Sequence, residues 1–209
     1  MELVVSRNSG NSARSTFALK ESGVAWEPRF VDPREGQNHT AAHLALNPMG
    51  KVPALVDGDT VLWESNAINW YLAEKHPESR LLPASPAGRA SVQRWLFFQA
   101  GHVSPACGEI VRATHPRVRE FWRFKSDDAV VTSARRELSR YLPVVDTALE
   151  TRSWLEGELS LADIAYVPHL WLIGEAGFDF SPYPALRAWL DRLVSRPAWK
   201  ATADLIFGF

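Results

Sequence analysis

The 209-residue chain contains a single cysteine, Cys107, so it can form no disulfide within itself and has no Cys-x-x-Cys redox pair. We therefore expect a reducing compartment, most simply the cytoplasm. No cationic residue stands close to Cys107 in the sequence, which predicts a buried side chain with little reactivity. The N-terminus has an acidic second residue and only a short apolar stretch, which is not the pattern of a secretory signal.

The chain also lacks an excess of charge of either sign and any long hydrophobic run. Its 23 basic and 24 acidic residues give a formal net charge of −1, and they form no basic stripe of the kind that binds phosphate backbones. The apolar runs fall far short of the roughly 20 residues that span a bilayer. We expect neither nucleic acid nor a membrane as a partner. Hydrophobic residues make up 46% of the chain, enough for a sizeable core in one large domain or two small ones.

The first third of the sequence alternates between strand-like and helix-like segments. Short apolar runs predict strands at residues 3–5, 24–31, 52–56 and 60–62. Apolar residues at helical spacing predict helices at residues 12–22, 40–46 and 64–75. Asp57-Gly58-Asp59 predicts a tight hairpin between the last two strands. The predicted order is strand, helix, strand, helix, strand, strand, helix.

Residues 76–86 are rich in proline and serine, which predicts a linker between two domains. Beyond the linker, helices are predicted at residues 87–113, 127–151, 160–174 and 184–195, with a short C-terminal piece. Pro105 is expected to bend or interrupt the first of these helices. We thus predict one domain at residues 1–76 and a helical domain at residues 87–209. The pattern Ser160-x-x-Asp163 predicts a capping box that serves folding and not catalysis.

Three polar residues, Ser9, Asn11 and Ser12, stand where the first predicted helix begins. One interpretation is helix capping, since short oxygen-bearing side chains bond the free amides there. The other is that they hold a thiolate, to which a hydroxyl donates a hydrogen bond and the helix dipole adds positive charge. Together these effects can lower a thiol pKa by about one to two units, at about 1.4 kcal/mol per unit. No cysteine lies near this turn, so the thiol would arrive on a ligand.

Two further motifs are weak in isolation. In Gly50-Lys51-Val52-Pro53 the proline keeps Val52 extended, which leaves its backbone groups available to a peptide-like ligand. An ordinary turn into an edge strand explains this tetrapeptide better when it is taken alone. Ser65 is a candidate cap for the next helix and lies beside an anion site, while Glu64 can accept an ammonium group. The pair therefore offers partners to both halves of an amino-acid zwitterion.

Taken together, the motifs resemble the glutathione transferase superfamily. The resemblance rests on the run from Leu46-Asn47-Pro48 to Ala54-Leu55, on Glu64-Ser65-x-Ala67-Ile68, and on residues 157–165. It implies an α/β thioredoxin-like N-terminal domain followed by an all-α C-terminal helical bundle. It also implies a detoxifying enzyme, a homodimer without a metal site, that conjugates the thiolate of glutathione, its co-substrate, to a hydrophobic electrophile.

The resemblance assigns the peptide part of glutathione to residues that match the family's motifs. Val52 would pair its backbone with the cysteinyl part, and Pro53 would be cis. Glu64 and Ser65 would hold the γ-glutamyl end. The glycyl carboxylate would lie near Lys51, together with His39.

The resemblance places Ser9 at the activating hydroxyl of serine-type members, which include theta-, phi- and beta-like bacterial proteins. Gly10 and Ala13 depart from the usual serine-type pattern, which leaves Asn11 and Ser12 as alternative contacts for the thiolate. No tyrosine or cysteine lies near the turn, so the subclasses that use those residues are disfavoured.

Two other functions remain open on the same residues. The first is a glutathione-dependent disulfide oxidoreductase or peroxidase that uses the same site. The second is a non-catalytic binding or scaffold protein, which would need the core but neither the Glu64-Ser65 pair nor the Lys51-Val52-Pro53 segment. Their joint presence argues against a scaffold. The second substrate is expected between the domains, against the first long helix of the bundle.

Overall fold

The computed structural model of the chain describes residues 1–123, 125 and 127–208. It divides into two compact units. The first comprises residues 1–82 together with the chain from residue 197 onward, and the second comprises residues 83–196. Within the described ranges, no helix combines the length and apolar character that a membrane span requires.

The first unit is built on a four-stranded mixed sheet. Its strands are β1 (Glu2–Val5), β2 (Glu27–Phe30), β3 (Ala54–Asp57) and β4 (Thr60–Trp63). The strand order is β2-β1-β3-β4, with β1 parallel to β2 and β3 antiparallel to both of its neighbours. Three consecutive residues of β1, residues 3–5, are buried, as expected for a central strand that is covered on both faces.

Three helices complete the predicted order: α1 (Gly10–Ser22) follows β1, α2 (Ala41–Leu46) precedes β3, and α3 (Ser65–Lys75) follows β4. Short 3-10 turns at Pro33–Glu35, Gln37–His39 and Pro77–Ser79 complete the unit. Residues 12–19 of α1 are all buried, because α1 packs against both α3 and the C-terminal helix α10 (Pro197–Phe207). The thioredoxin-like arrangement expected from the sequence is confirmed.

The predicted helical domain at residues 87–209 includes α10, but in the structure α10 belongs to the first unit. Trp199 is buried, and its ring meets Phe17 of α1 edge-on with centroids 5.4 Å apart. The Asn8 amide donates to the Ile206 carbonyl at 3.0 Å, and Arg7 donates to the Leu205 carbonyl at 2.5 Å. An apolar helix face packs where it finds a complementary surface, whatever its order in the chain.

The second unit is helical. It contains α4 (Pro86–Phe98), a π-helical turn (Gln99–Val103), α5 (Ser104–Thr114), α6 (Pro116–Trp122), α7 (Asp128–Leu149), α8 (Leu161–Glu175) and α9 (Pro184–Val194). The π-helical turn interrupts the long helix just before Pro105, as predicted, because proline removes one amide and crowds the preceding turn. Helix α6 was not predicted.

The capping box at the start of α8 is confirmed. Ser160 accepts the Ala162 amide at 3.2 Å, and Asp163 accepts the Ser160 amide at 2.9 Å. Asp163 also accepts the Leu155 amide and the Trp189 indole N–H, each at 2.9 Å. Burial raises the pKa of the Asp163 carboxyl, and these hydrogen bonds oppose the shift. The predicted burial of the single cysteine is confirmed as well.

Candidate functional site

Strand register brings three predicted site segments to one edge of the sheet. Val4 is paired with Ala54, and Ala54 is paired with Trp63. Because β3 runs antiparallel to β1 and β4, the end of β1, the beginning of β3 and the end of β4 lie side by side. Residues 6–9, 51–53 and 64–65 leave the sheet at this edge, within the first unit.

Ser9 is the N-cap of α1, as the capping interpretation predicts. Its hydroxyl oxygen accepts the Ser12 amide at 3.2 Å, and only 9% of the residue's surface is exposed. A hydroxyl that accepts one hydrogen bond keeps its own hydrogen for donation. Capping and thiolate binding are therefore compatible at Ser9, since they use different parts of the same group.

The other two candidates at this turn differ in accessibility. Asn11 is exposed, and its Oδ1 accepts Arg14 Nη1 at 2.8 Å. Because a guanidinium can only donate, the Asn11 oxygen must face it, and the amide N–H groups point elsewhere. Ser12 is fully buried, and its hydroxyl oxygen accepts the Ser6 amide at 3.2 Å. Of these two side chains, Asn11 is the one that a ligand can reach.

At the same edge of the sheet, Val52 presents backbone groups that are unpaired within the described ranges. The Val52–Pro53 bond is cis, as the resemblance implies. Val52 is half-buried, and neither its N–H nor its C=O bonds to another residue in the part of the chain that the structure describes. Half-buried backbone groups favour a partner. An extended peptide ligand can supply both a donor and an acceptor here.

The start of α3 corrects one expectation. Glu64 occupies the N-cap position, and its φ of +70° is uncommon for a residue other than glycine. Ser65 was expected to cap the helix, but it is the first helical residue, one position too far along the chain to cap it. Its buried hydroxyl instead accepts Arg14 Nη1 at 2.7 Å. Glu64 itself is exposed and carries its carboxylate at this edge.

Arg14 is a further candidate for the site, and the sequence analysis missed it. Only 3% of its surface is exposed, and its Nη1 donates to both Asn11 and Ser65. A guanidinium keeps its charge in proteins. It therefore adds positive charge where the N-termini of α1 and α3 already favour an anion. The only sequence signal was an arginine among small residues on the buried face of α1.

Lys51 follows Gly50 in the chain, the His39 ring lies against Gly50, and both residues are exposed. Gly50 has a φ of +61°, and a Cβ added there would lie 2.8 Å from the His39 ring. Glycine is thus required at position 50 for both its backbone conformation and the approach of the ring. The Lys51 ammonium and the His39 ring are available to a carboxylate. Within the described ranges, no cluster of three or more His, Cys, Asp or Glu side chains is arranged to hold a metal ion.

Comparison with known proteins matches both parts of the chain. Residues 1–74 match the family model of the glutathione S-transferase N-terminal domain, and residues 101–197 match that of the C-terminal domain. The chain is 34% identical over 195 residues to glutathione S-transferase F9 of Arabidopsis thaliana, with 90% of each chain covered. It is 33% identical over 197 residues to glutathione S-transferase GstB of Escherichia coli strain K12, with 91% of each covered.

A solved structure shows similarity of the same extent. The theta class glutathione S-transferase from the citrus canker pathogen Xanthomonas axonopodis pv. citri, which has glutathione bound, superposes with a TM-score of 0.86. It is 31% identical in sequence, and the match covers 96% of this chain and 95% of that one.

Proposed function

Because the chain belongs to the glutathione S-transferase family and is an enzyme with glutathione as its co-substrate, we propose that residues 6–9, 51–53 and 64–65 form its glutathione site. The observation that carries this proposal is the strand register, which collects the three segments at one sheet edge. The thiolate of glutathione is then conjugated to a hydrophobic electrophile.

Ser9 is assigned the thiolate of glutathione. Its oxygen accepts the Ser12 amide at 3.2 Å, which orients the hydroxyl so that its hydrogen is left for the sulfur. The N-terminus of α1 adds partial positive charge at the same point. The accessible amide of Asn11 can supply a second donor. Each unit by which these groups lower the thiol pKa corresponds to about 1.4 kcal/mol of preference for the anion.

The two ends of the tripeptide are assigned to two pairs of residues, Glu64 with Ser65 and Lys51 with His39. The α-ammonium of the γ-glutamyl group pairs with Glu64, and its α-carboxylate lies at the start of α3, at Ser65. The glycyl carboxylate lies near Lys51 and His39. Pairing of the Val52 backbone with the cysteinyl part fixes the sulfur between these ends, at the start of α1.

The reaction needs little covalent chemistry from the protein. The thiol proton passes to solvent, the thiolate attacks the electrophilic carbon, and the S–C bond forms. Where the substrate carries a leaving group, that group departs with the electron pair of the broken bond. The protein contributes by raising the thiolate fraction at neutral pH and by holding the sulfur in one position.

Three features of the working enzyme belong to the same proposal. The chain acts as a homodimer in the cytoplasm, and its electrophiles are small hydrophobic compounds whose conjugation is a form of detoxification. Family membership supports each of these features. The rival activity on disulfides or peroxides uses the same sulfur position, so it is distinguished by substrate and not by site.

The test is a pH titration of the thiolate absorbance of bound glutathione in the wild type and in Ser9→Ala. We expect the bound thiol of the wild type to ionise about one to two pH units below free glutathione. Ser9→Ala should lose most of this shift and about 10- to 100-fold of kcat/KM with an aryl halide, for the loss of one charge-assisted hydrogen bond.

Asn11→Ala and an alternative substrate complete the experiment. If Ser9→Ala keeps the low ionisation while Asn11→Ala loses it, the activating donor is Asn11 and the role given to Ser9 is wrong. If the wild type turns over a mixed disulfide much faster than an aryl halide, the oxidoreductase replaces conjugation as the main activity.

A further inference from the structure

Two buried side chains hold the carbonyl of Lys51, the residue before Val52. His43 Nε2 lies 3.0 Å from this oxygen, and Asn47 Nδ2 donates to it at 2.8 Å. Only 3% of His43 and 2% of Asn47 is exposed. The carbonyl is therefore anchored to the interior by two donors, one on α2 and one immediately after it.

The partners of His43 and Asn47 determine which atom of each side chain donates to the Lys51 carbonyl. A carbonyl oxygen only accepts, so His43 Nε2 must carry the hydrogen. Asn47 Oδ1 accepts the Met49 amide at 3.0 Å, which commits the Asn47 amide nitrogen to Lys51. The Asn47 carbonyl also accepts the Gly50 amide at 2.9 Å. Asn47 thus holds the turn at residues 47–51 through both its side chain and its backbone carbonyl.

Anchoring the Lys51 oxygen also fixes the direction of the Val52 N–H. The two groups belong to one trans peptide plane, since the cis bond is the next one along the chain. In a trans plane the C=O and the N–H point in opposite directions. Two donors on the oxygen also polarise the amide, which makes its N–H a stronger donor. This N–H bonds to no residue of the described chain.

We propose that His43 and Asn47 are positioning residues for glutathione. By holding the Lys51 carbonyl they aim the Val52 N–H at the carbonyl oxygen of the cysteinyl residue of the ligand, without touching the ligand themselves. This role rests on the proposed function, because it needs a peptide ligand at Val52.

The first test compares His43→Phe with His43→Gln. Phenylalanine keeps a ring of similar size but removes the donor, and glutamine restores an amide N–H near the position of Nε2. We expect His43→Phe to raise the KM for glutathione about 10-fold, as for the loss of one buried hydrogen bond. The kcat should stay within about twofold and the pH profile unchanged, since Ser9 is untouched. His43→Gln should recover most of the KM.

A ligand analogue isolates the contact itself. In this analogue an (E)-alkene replaces the Cys-Gly peptide bond of glutathione, so the cysteinyl carbonyl is absent while the shape is kept. The wild type should bind glutathione about 10-fold more tightly than the analogue. In His43→Phe and in Asn47→Asp this ratio should fall towards one, because the Val52 N–H is no longer aimed at the carbonyl. A general effect of the carboxylate charge that Asn47→Asp introduces would weaken both ligands equally and keep the ratio.

Thr40→Ala is the matched structural control. Thr40 caps α2 by accepting the His43 amide at 3.3 Å, without contact to the Lys51 carbonyl. It should lower the melting temperature but change the KM by less than about twofold. If His43→Phe changes the KM no more than Thr40→Ala does, or if the analogue ratio persists in the variants, the positioning role is wrong. Failure of the wild type to bind glutathione would instead overturn the proposed function.

Discussion

Arg14 places a buried positive charge between two polar side chains of the proposed site. Its Nη1 lies 2.8 Å from Asn11 Oδ1 and 2.7 Å from Ser65 Oγ. A single guanidinium therefore orients two side chains that can donate hydrogen bonds to the ligand. Asn11, at the start of α1, is a candidate donor to the thiolate, and Ser65, at the start of α3, is a candidate donor to the carboxylate. Because burial strengthens electrostatic interactions, this charge should favour an anionic ligand more than an exposed arginine would.

Arg14→Met should therefore weaken glutathione binding as well as the fold. We expect a KM for glutathione about 10-fold higher and a free energy of unfolding about 1–3 kcal/mol lower, since both acceptors lose a charged donor. Arg14→Lys keeps the charge without the planar guanidinium, so its KM and its free energy of unfolding should lie between those of the wild type and Arg14→Met. Steady-state kinetics and urea unfolding measure these effects.

The control for Arg14 is Arg34→Met in the same unit, where the arginine is exposed and pairs with Asp32. This change should alter neither the KM nor the stability by much, because exposed ion pairs contribute little. A normal KM in Arg14→Met, with stability alone reduced, would limit Arg14 to a structural role.

At the scale of the residue, the sequence offers candidates for the site where the residue type carries the chemistry. The serine at a helix start, the valine before proline and the Glu-Ser pair could all be selected from their neighbours. Arg14 could not be selected, because its partner Ser65 is 51 residues away and only the packing of α1 on α3 brings them together. The mistaken cap at Ser65 has a local cause, since a helix start shifts by one residue without a change in sequence pattern.

At the scale of the element, α6 shows why a short helix escapes detection. Its seven residues are too few for helical periodicity to separate from chance. Its N-cap is His115 instead of one of the usual small polar residues, and His115 Nδ1 accepts the Val118 amide at 3.4 Å. The usable signal was Pro116, since proline is common at the first helical position.

The same cap predicts a dependence of stability on pH. Burial lowers the pKa of His115, the nearby charge of Glu175 opposes the shift, and Arg117 reinforces it. A group with a lowered folded-state pKa contributes stability above its unfolded pKa, about 6.5 for histidine, and this stability is lost as the pH falls through the folded pKa. Protonation would also remove the lone pair that caps α6.

His115→Asn should reduce this acid sensitivity, because asparagine caps a helix and does not titrate. Urea unfolding at pH 8 should give stabilities of the wild type and variant within about 1 kcal/mol of each other. Between pH 7 and pH 5 the wild type should lose more free energy of unfolding than the variant does. Equal losses in the two proteins would assign the acid sensitivity to other groups.

At the scale of the whole molecule, the first unit is discontinuous in sequence. The chain leaves it at residue 82 and returns at residue 197. Local patterns predicted the strands and most helices, because each depends on neighbouring residues. They could not predict the return of α10, because an apolar helix face indicates that a helix is buried and not which surface buries it.

Trp199 provides the test of this return. Trp199 is buried against α1 of the first unit, and Trp189 is buried within the second unit, where it bonds Asp163. We expect each tryptophan-to-alanine change to cost about 3–5 kcal/mol, as for other large-to-small core substitutions. Native-state hydrogen exchange should distinguish Trp199→Ala from Trp189→Ala, because amides exchange faster in the region whose packing is weakened.

In Trp199→Ala the amides of β1 and α1 should lose protection, and glutathione binding should weaken because α1 carries Ser9 at its start. In Trp189→Ala the loss should fall on α8 and α9 instead. Saturating glutathione should restore protection in Trp199→Ala by an amount that grows with ligand concentration, because a ligand stabilises the folded state to which it binds. If Trp199→Ala left α1 protected and exposed the helices of residues 83–196, α10 would belong to the helical unit after all.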